Sequence, residues 1–476
     1  MTVATSASAQ VGVAAPRPDE QFDFMNLISK LGLHNIDDES WNLYGQFTHI
    51  STAQLPFHAP YGNYGGNGSP QYSLSPDLEY SETTSFTASF ALKLWTGAAL
   101  YIVPEVISEL PLAGLHGLGG AVQIFELQKS GSLAPQLYRS RIYLEQTINL
   151  GGERIKLESN PQQLGMQVDA HRLVFSVGNW TFLDFMDKNN YASDLRHQFF
   201  NLAFLTYAAY DFGSDARGYS WGAMAQLYWD DFTFRISRGT SPINPNALSA
   251  DWNLGEHYTD EAEIEWRYKL FGQDGGLRLL GYHNRNISGA FQDAIDDFNA
   301  THGADNETTC GDRFNYTTNN PNAPDLCFVR KTNDKFGIGF SFEQALGHDI
   351  GVFLRAMWSD GRTEVYAYMP ADRSVAAGVL AKGTLWNRGN DVAGIAFNAS
   401  WISDSHAQYL AMGGVDGFIG DGKLNRASES VFEVFYSVAI LSSVWLSADY
   451  QRIFNPAFNA DRGPVDVLGG RIHADF

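Results

Sequence analysis

The sequence alternates between apolar and polar residues with a period of two, in segment after segment of about ten residues. In YTDEAEIEWRYKL (258–270), the charged residues Glu261, Glu263 and Glu265 fall on one face, and Ile264 and Trp266 fall on the other. A helix would mix these two sets, whereas a strand separates them. The same separation recurs in SRIYLEQTINL, KFGIGFSFEQAL and SVFEVFYSVAI. The chain is therefore predicted to be all-β.

The two faces of these strands favour a membrane barrel over a soluble β protein. The polar face carries rows of charges, and the apolar face often ends in an aromatic residue such as Trp95, Trp401 or Tyr450. A transmembrane barrel turns its apolar face to lipid, keeps its polar face in the lumen and places aromatic residues at the interfaces. No apolar stretch of about 18 residues occurs, which excludes a membrane-spanning helix. The formal net charge of −21 argues against a nucleic-acid-binding protein.

The lengths of the connections also indicate an outer-membrane barrel, because short and long gaps alternate along the chain. Because short and long connections must alternate, 179–217 is interpreted as one long external connection. The strand count is then even, with sixteen antiparallel strands and with eighteen as the alternative. Within that connection, the apolar stretch 202–212 is interpreted as a loop or short helix in the barrel mouth. The predicted strands are 41–51, 84–95, 98–109, 139–150, 170–178, 218–228, 231–239, 258–269, 276–286, 335–345, 349–358, 374–386, 390–402, 430–440, 443–453 and 464–476.

The two ends of the chain differ in character. The last strand ends in RIHADF, and a terminal Phe such as Phe476 is the usual ending of bacterial outer-membrane barrels. Residues 1–40 are interpreted as a signal remnant or periplasmic segment, with a short helix near 22–33 left open, and 41–476 as the barrel domain. Ala7-Ser8-Ala9 fits a signal-peptide cleavage site, although the charged and apolar regions that should precede it are missing.

The chain has two cysteines, Cys310 and Cys327, within a polar stretch of the longest predicted external loop. Their spacing is not that of a zinc site. A disulfide is the favoured interpretation, and it would place the protein in an oxidising compartment. Two unpaired thiols are the alternative.

Several strings resemble the carbohydrate-selective porins of the OprB family. The resemblance covers nearly the whole chain from Trp41 and implies a 16-stranded outer-membrane barrel for diffusive sugar uptake. It also implies that the barrel assembly machinery reads Phe476 as an assembly signal. The strings are YGQFTH (44–49), PFHAPYGN (56–63), ETTSFTASFALKLWTGAALYIVPEV (82–106), YRSRIYLEQTINLGGE (138–153), FLDFMDKNNYASDLRHQFFN (182–201), FEQALGHDIGVFLRAMWSDGRTEVYAY (342–368), GFIGDGKLN (417–425) and ADYQRIFNPAFNADRGPVDVLGGRIHADF (448–476).

The predicted lumen face carries both guanidinium and carboxylate groups. Sugar hydroxyls donate and accept hydrogen bonds, so they can replace water at both kinds of group, and aromatic rings can pack on a pyranose. The alternative is that these charges only solvate the wall of a water-filled pore. The candidates on the wall are Arg139, Arg141, Tyr143, Glu145, Glu261, Glu263, Glu265, Arg267 and Arg355, with Tyr191 and Trp445 as further aromatic candidates.

The stretch 180–200 is the predicted constriction loop. It interleaves aromatic residues, such as Trp180 and Phe199, with polar ones, and an aromatic-rich loop is expected to fold inward rather than remain in water. His197 could bind a metal, but an ordinary hydrogen-bonded histidine is favoured and no metal or cofactor is expected. The polar candidates are Asp184, Asp187, Asn189, Asn190, Asp194, Arg196 and His197.

The predicted function is passive, selective diffusion of carbohydrates through the outer membrane, with sugars and outer-membrane lipid as partners. A general porin is the first alternative. An outer-membrane enzyme is less favoured, because the G-x-S-x-G match at 218–222 lacks the strand–turn–helix frame of a nucleophile elbow. A soluble sugar-binding β protein is a third hypothesis. Whether the protein is a monomer or a trimer is left undecided.

Overall fold

A closed antiparallel barrel of sixteen strands forms the protein, and it closes where β1 pairs with β16. The computed structural model describes residues 23–65, 71–303, 322–367 and 369–476. The strands are β1 (Trp41–Gln54), β2 (Glu79–Trp95), β3 (Ala98–Leu110), β4 (Gln136–Leu157), β5 (Met166–Trp180), β6 (Ser220–Trp229), β7 (Phe232–Gly239), β8 (Tyr258–Leu270), β9 (Gln273–Ser288), β10 (Lys331–Ala345), β11 (Ile350–Ser359), β12 (Arg373–Lys382), β13 (Val392–Trp401), β14 (Glu429–Leu441), β15 (Val444–Phe454) and β16 (Val465–Asp475).

Helices in the described residues are short and lie in the connections. None of them combines the length and the apolar character needed to cross a membrane. The α-helices are α1 (Phe24–Lys30), α2 (Leu202–Leu205), α3 (Phe291–Thr301) and α4 (Asp404–Ala411). Single 3₁₀ turns cover Leu112–Leu115, Phe125–Gln128, Phe182–Asp184, Leu326–Val329, Gly383–Trp386 and Pro456–Phe458.

The strand count of sixteen is confirmed, and the alternative of eighteen is wrong. The apolar stretch 202–212 contains helix α2 and no strand, as interpreted from the sequence. The predicted strand 374–386 is too long, because β12 ends at Lys382. The chain there turns through Gly383–Trp386, and Asn387 ends that turn in the left-handed conformation with a φ of 65°.

The alternation of the strands separates two environments. In β8, Glu261, Glu263 and Glu265 point into the barrel and are buried, whereas Ile264 and Trp266 point outward and are exposed. Many other large apolar side chains are also exposed on the outer surface. The outer wall is therefore apolar and the inner wall polar, which is the inverse of a soluble barrel.

Short turns join the strands at one end of the barrel and long connections join them at the other. The turns include 96–97, 230–231, 271–272 and 442–443, and the long connections include 111–135, 181–219 and 402–428. The β4–β5 turn, 158–165, is longer than the two-residue turns at its end and bends back over β1 and β2. There Asn42 Nδ2 donates to Gln163 O at 3.0 Å, and the Ser89 hydroxyl donates to Pro161 O.

The interior of the barrel contains an apolar core made by the long connections. Phe199, Phe200 and Phe204 from 181–219 pack in one buried cluster with residues from 111–135 and with the inner wall, including Val431 and Ile453. Burial of these rings supplies a hydrophobic driving force for the connections to enter the barrel.

The C-terminal residue closes the barrel seam. The Phe476 amide donates to Gly45 O at 3.0 Å, and the Gly45 amide donates to Phe476 O at 2.7 Å. The Phe476 ring lies 5.8 Å from the ring of Phe86 and directly over Gly45, where a Cβ atom would overlap it. A side chain at position 45 would therefore have to displace the Phe476 ring from this position.

Replacing Gly45 by alanine should therefore displace the Phe476 ring and slow assembly of the barrel, in the same direction as deletion of Phe476. We expect a several-fold lower fraction of heat-modifiable, folded protein on a gel after a short expression pulse. Gly281→Ala is the matched control, since a Cβ added there meets nothing within 4 Å. Equal folded fractions for G45A and G281A would contradict this role of the seam.

Candidate functional site

Residues 181–219, here called the inward loop, cross the interior of the barrel from wall to wall. The Asp187 amide donates to Glu263 of β8 at 2.7 Å, and the Asn190 amide donates to Glu343 of β10 at 2.6 Å. Further along, the Asn201 side chain donates to Gln451 of β15 at 2.8 Å. The loop therefore contacts the inner wall over much of its circumference.

Arg355 of β11 is the most heavily bonded of these wall residues. Its Nε lies 3.0 Å from an Asp187 carboxylate oxygen, and its Nη1 donates to Ala192 O at 2.5 Å and to Phe204 O at 2.8 Å. Its Nη2 donates to Ser193 Oγ at 2.8 Å. One guanidinium thus ties three separate parts of the inward loop to the wall, and the Arg355 side chain is only 1% exposed.

A chain of buried ion pairs also begins at Glu263, which accepts the Asp187 amide, and extends along the wall. Arg235 bonds Glu263 and Glu265, each at 2.8 Å. Arg278 bonds Glu265 and Glu343, each at 2.9 Å. These side chains are at most 6% exposed. We call the set the anchor network: Asp187, Arg235, Glu263, Glu265, Arg278, Glu343 and Arg355.

On the side of β3 to β6, the interior holds three cations that are only partly covered and two buried tyrosines beside them. We call this set the passage cluster: Lys129, Tyr138, Arg141, Arg196 and Tyr219. The side chains of Lys129, Arg141 and Arg196 are 13%, 17% and 28% exposed. The Tyr138 and Tyr219 rings lie 6.2 Å apart, and the Arg141 guanidinium lies 5.5 Å from the centre of the Tyr219 ring.

Each cation of the passage cluster has a buried carboxylate behind it. Lys129 Nζ lies 2.8 Å from Glu105, and the Tyr138 hydroxyl donates to the same carboxylate. Arg196 lies 4.0 Å from Glu105 and 3.7 Å from Glu126. The carboxylates fix the positions of the cations and balance much of their charge.

Arg141 is held by the start of the inward loop. Its Nε and Nη2 donate to the two carboxylate oxygens of Asp184, both at 2.7 Å. Asp184 also closes a capping box with Thr181 and accepts a 3.0 Å bond from Gln162 of the β4–β5 turn. Burial alone would raise the pKa of Asp184, but the Arg141 guanidinium outweighs it and holds that pKa below its usual value.

Arg139 does not face the lumen, so its assignment to the lumen face is wrong. Tyr138 and Ser140 are buried, whereas Arg139 between them is exposed, with its guanidinium 4.7 Å from the centre of the Trp221 ring. The β3–β4 ladder shifts between Val103 and Pro104, so that one extra residue of β4 separates Arg139 from Arg141. This bulge puts the two arginines on opposite faces.

The other predicted wall residues fall into distinct environments. Glu261 accepts a 2.5 Å bond from Tyr210 of the inward loop, and Glu145 accepts a 3.3 Å bond from Ser176. Tyr143 is buried and stacks on Tyr101 at 4.7 Å. Arg267 is 42% exposed and pairs with Glu265.

The remaining aromatic and amide candidates pack against other protein groups and do not project into the lumen. Tyr191 and Trp445 are both buried, and Trp445 packs against His473. Asn189 donates to Ser341 at 3.3 Å. Ser220, the centre of the G-x-S-x-G match, donates its hydroxyl to Gly213 O at 2.6 Å, at the start of strand β6.

His197 is positioned by Asp194, whose carboxylate lies 2.8 Å from Nδ1. Burial alone would lower the pKa of His197, but Asp194, together with Asp475 of β16, raises it to about 9. His473 of β16 lies edge-on to the same ring at 4.5 Å between centroids. The inward loop thus brings a second histidine close, although none stands nearby in the sequence.

The predicted disulfide involves one residue outside the described part of the chain. Cys327 is buried and disulfide-bonded. Cys310 lies outside the described residues, so the pairing of the two stays a prediction.

Several residues of the site were missed by the sequence reasoning. Arg235, Arg278 and Glu343 alternate on the polar face of their strands, and that pattern could have identified them. Lys129 and Tyr219 lie outside the strands, and no pattern in the sequence placed them near Arg141.

Comparison with known proteins gives one family and a fold. The family model described as "Carbohydrate-selective porin, OprB family" matches residues 106–476. The chain is similar to the high-pH structure of Pseudomonas putida OprB, with 14% identity, a TM-score of 0.65, and coverage of 92% of this chain and 94% of that one. It is also similar to the outer membrane channel DcaP of Acinetobacter baumannii, with 11% identity, a TM-score of 0.47, and coverage of 92% and 97%. A search of the curated proteins found no match.

Replacing Arg355 by methionine should release the inward loop, because it breaks the contacts to Asp187, Ala192 and Phe204 and leaves a buried carboxylate unpaired. Loss of one partner of a buried pair costs about 3–5 kcal/mol. We expect a clear fall in thermal stability in detergent and a larger, noisier single-channel conductance. Arg267→Met, which removes an exposed arginine, is the control. Unchanged stability and conductance in R355M would contradict the anchoring role.

Proposed function

Because the chain belongs to the OprB family of carbohydrate-selective porins, and is thus a carbohydrate-selective porin of the bacterial outer membrane, we propose that its sugars cross passively along the passage cluster. The family and the barrel fold are those of a channel rather than an enzyme. The observation that carries the proposal is the contrast in exposure between the two charged sets. The anchor network is covered by the inward loop, whereas the cations of the passage cluster remain partly accessible.

The chemistry of the passage cluster suits neutral, hydroxyl-rich permeants. A guanidinium has five N–H donors, so the two bonds from Arg141 to Asp184 do not exhaust them. Each remaining donor can hold a sugar hydroxyl in place of water.

The carboxylates that pair with the cations favour binding of neutral sugars over binding of anions. Glu105 and Asp184 offset the charge of Lys129 and Arg141, so an anion would gain little net attraction. A neutral sugar needs positioned donors rather than net charge. Binding must also stay weak, because a tightly held solute would block the channel.

The proposal extends to biogenesis and domain organisation. The seam between Phe476 and Gly45 supports the expectation that the barrel assembly machinery reads the last strand. Residues 41–476 are proposed as the channel domain, with the segment before Trp41 as a periplasmic extension that carries helix α1.

Replacing Arg141 by glutamine should weaken sugar binding in the channel. The test is sugar-induced block of single-channel current in a planar bilayer, titrated with common mono- and disaccharides. For the unmodified protein we expect half-block at millimolar sugar, about −4 kcal/mol. We expect R141Q to raise the half-blocking concentration several-fold, and Lys129→Gln to act in the same direction.

Arg139→Gln is the matched control, since it removes an arginine two residues away that faces out of the barrel. Equal effects of R139Q and R141Q would refute the choice of lining residues. A current that no sugar blocks in the unmodified protein would leave a general porin as the function.

A further inference from the structure

Two imidazoles and a carboxylate converge where the inward loop meets the last strand. His473 Nε2 lies 3.1 Å from an Asp475 carboxylate oxygen, and His197 Nε2 lies 3.5 Å from the other. One ligand atom from each of the three residues can be chosen so that these atoms lie within 4.8 Å of one another. His473 is fully buried, whereas Asp475 remains 24% exposed, which leaves a route for solvent.

A chain of hydrogen bonds fixes the tautomer of His473. The Thr87 hydroxyl gives its only hydrogen to the Glu105 carboxylate at 2.8 Å, so Gln46 must turn its NH₂ group toward Thr87. The Gln46 carbonyl then faces Thr48, whose hydroxyl donates to it at 2.6 Å. Thr48 can therefore only accept from His473 Nδ1, at 2.8 Å. The neutral His473 ring consequently carries its lone pair on Nε2, on the side of Asp475.

His197 is oriented in the same way from the other side. Its Nδ1 lies 2.8 Å from the Asp194 carboxylate, which can only accept, so this nitrogen carries a hydrogen. Nε2 of His197 is thus the atom left for Asp475. A histidine whose second nitrogen donates to a carboxylate or another fixed acceptor is the usual arrangement around bound metal ions.

From this convergence we propose that His197, His473 and Asp475 bind one divalent transition-metal ion of the zinc class. Two imidazole nitrogens and one carboxylate oxygen form a donor set typical of Zn²⁺, whereas Mg²⁺ and Ca²⁺ prefer oxygen ligands only. Bonds of about 2.0–2.1 Å in a tetrahedral site place ligands roughly 3.4 Å apart, close to the separations from Asp475. Water completes the fourth position. Binding displaces any proton held on Nε2.

A metal ion bound at this site would connect the inward loop to strand β16. His197 lies in the inward loop, two ligands lie on β16, and Arg196 of the passage cluster is adjacent in the chain to His197. A bound ion would therefore fix the position of the loop beside the sugar passage. This role concerns the geometry of the loop and is independent of which solute crosses.

The test uses the full-length chain, folded in detergent, without a histidine tag and stripped with a chelator. Titration with ZnCl₂ in a calorimeter and elemental analysis of the dialysed protein should give one ion per chain. Co²⁺ in place of Zn²⁺ should produce the visible absorption of a tetrahedral nitrogen–oxygen site. His473→Gln and Asp475→Asn should each weaken Zn²⁺ binding by at least about 10–100-fold. Mutating a residue that only hydrogen-bonds to a metal ligand already costs about that much affinity, and these variants remove a ligand itself.

His257→Gln is the matched control. His257 also pairs with an aspartate, Asp251, at 2.6 Å, but its other nitrogen faces the Thr332 hydroxyl at 3.0 Å. This variant should bind Zn²⁺ as the unmodified protein does. Folding of each variant is verified by its heat-modifiable band. Zinc below 0.1 ion per chain in the unmodified protein, or unchanged affinity in both folded ligand variants, would overturn the proposal.

Discussion

Charged groups inside a barrel wall must be paired, and in this protein the inward loop completes the pairing. Arg235 and Arg278 share the carboxylates of Glu263, Glu265 and Glu343, and the loop supplies amide donors to two of these acids. A buried charge without partners would cost several kcal/mol. The loop is therefore held in the lumen by the same charges that make the wall polar, and by the burial of its apolar rings.

This arrangement divides the interior into two unequal sides. Along β8 to β11 the loop lies directly on the wall, and the charges there serve the structure. Along β3 to β6 the loop also contacts the wall, through the pair between Arg141 and Asp184, but the cations near this contact stay partly accessible. The proposed sugar passage lies on the side where the cations stay partly accessible, and the proposed selectivity depends on the positions of these donors rather than on net charge.

The barrel fold could be predicted from the sequence. Which charged groups are covered by the inward loop and which stay accessible could not. Alternation put Glu263 and Glu265 on the inner face, and the parity of the connections gave sixteen strands, because both follow from local periodicity. Arg139 was misplaced because a bulge in β4 shifts the alternation by one residue, and the consecutive polar residues Arg139, Ser140 and Arg141 conceal that shift in the sequence. The pairing of His197 with His473 depends on how a loop folds across the lumen, which no local pattern encodes.

The most direct test of sugar passage along the passage cluster is a structure of the protein determined at high sugar concentration. We expect sugar density within hydrogen-bond distance of Arg141 or Lys129, with the inward loop in the lumen. Density against Glu263 or Arg355, or an inward loop outside the barrel, would contradict this expectation.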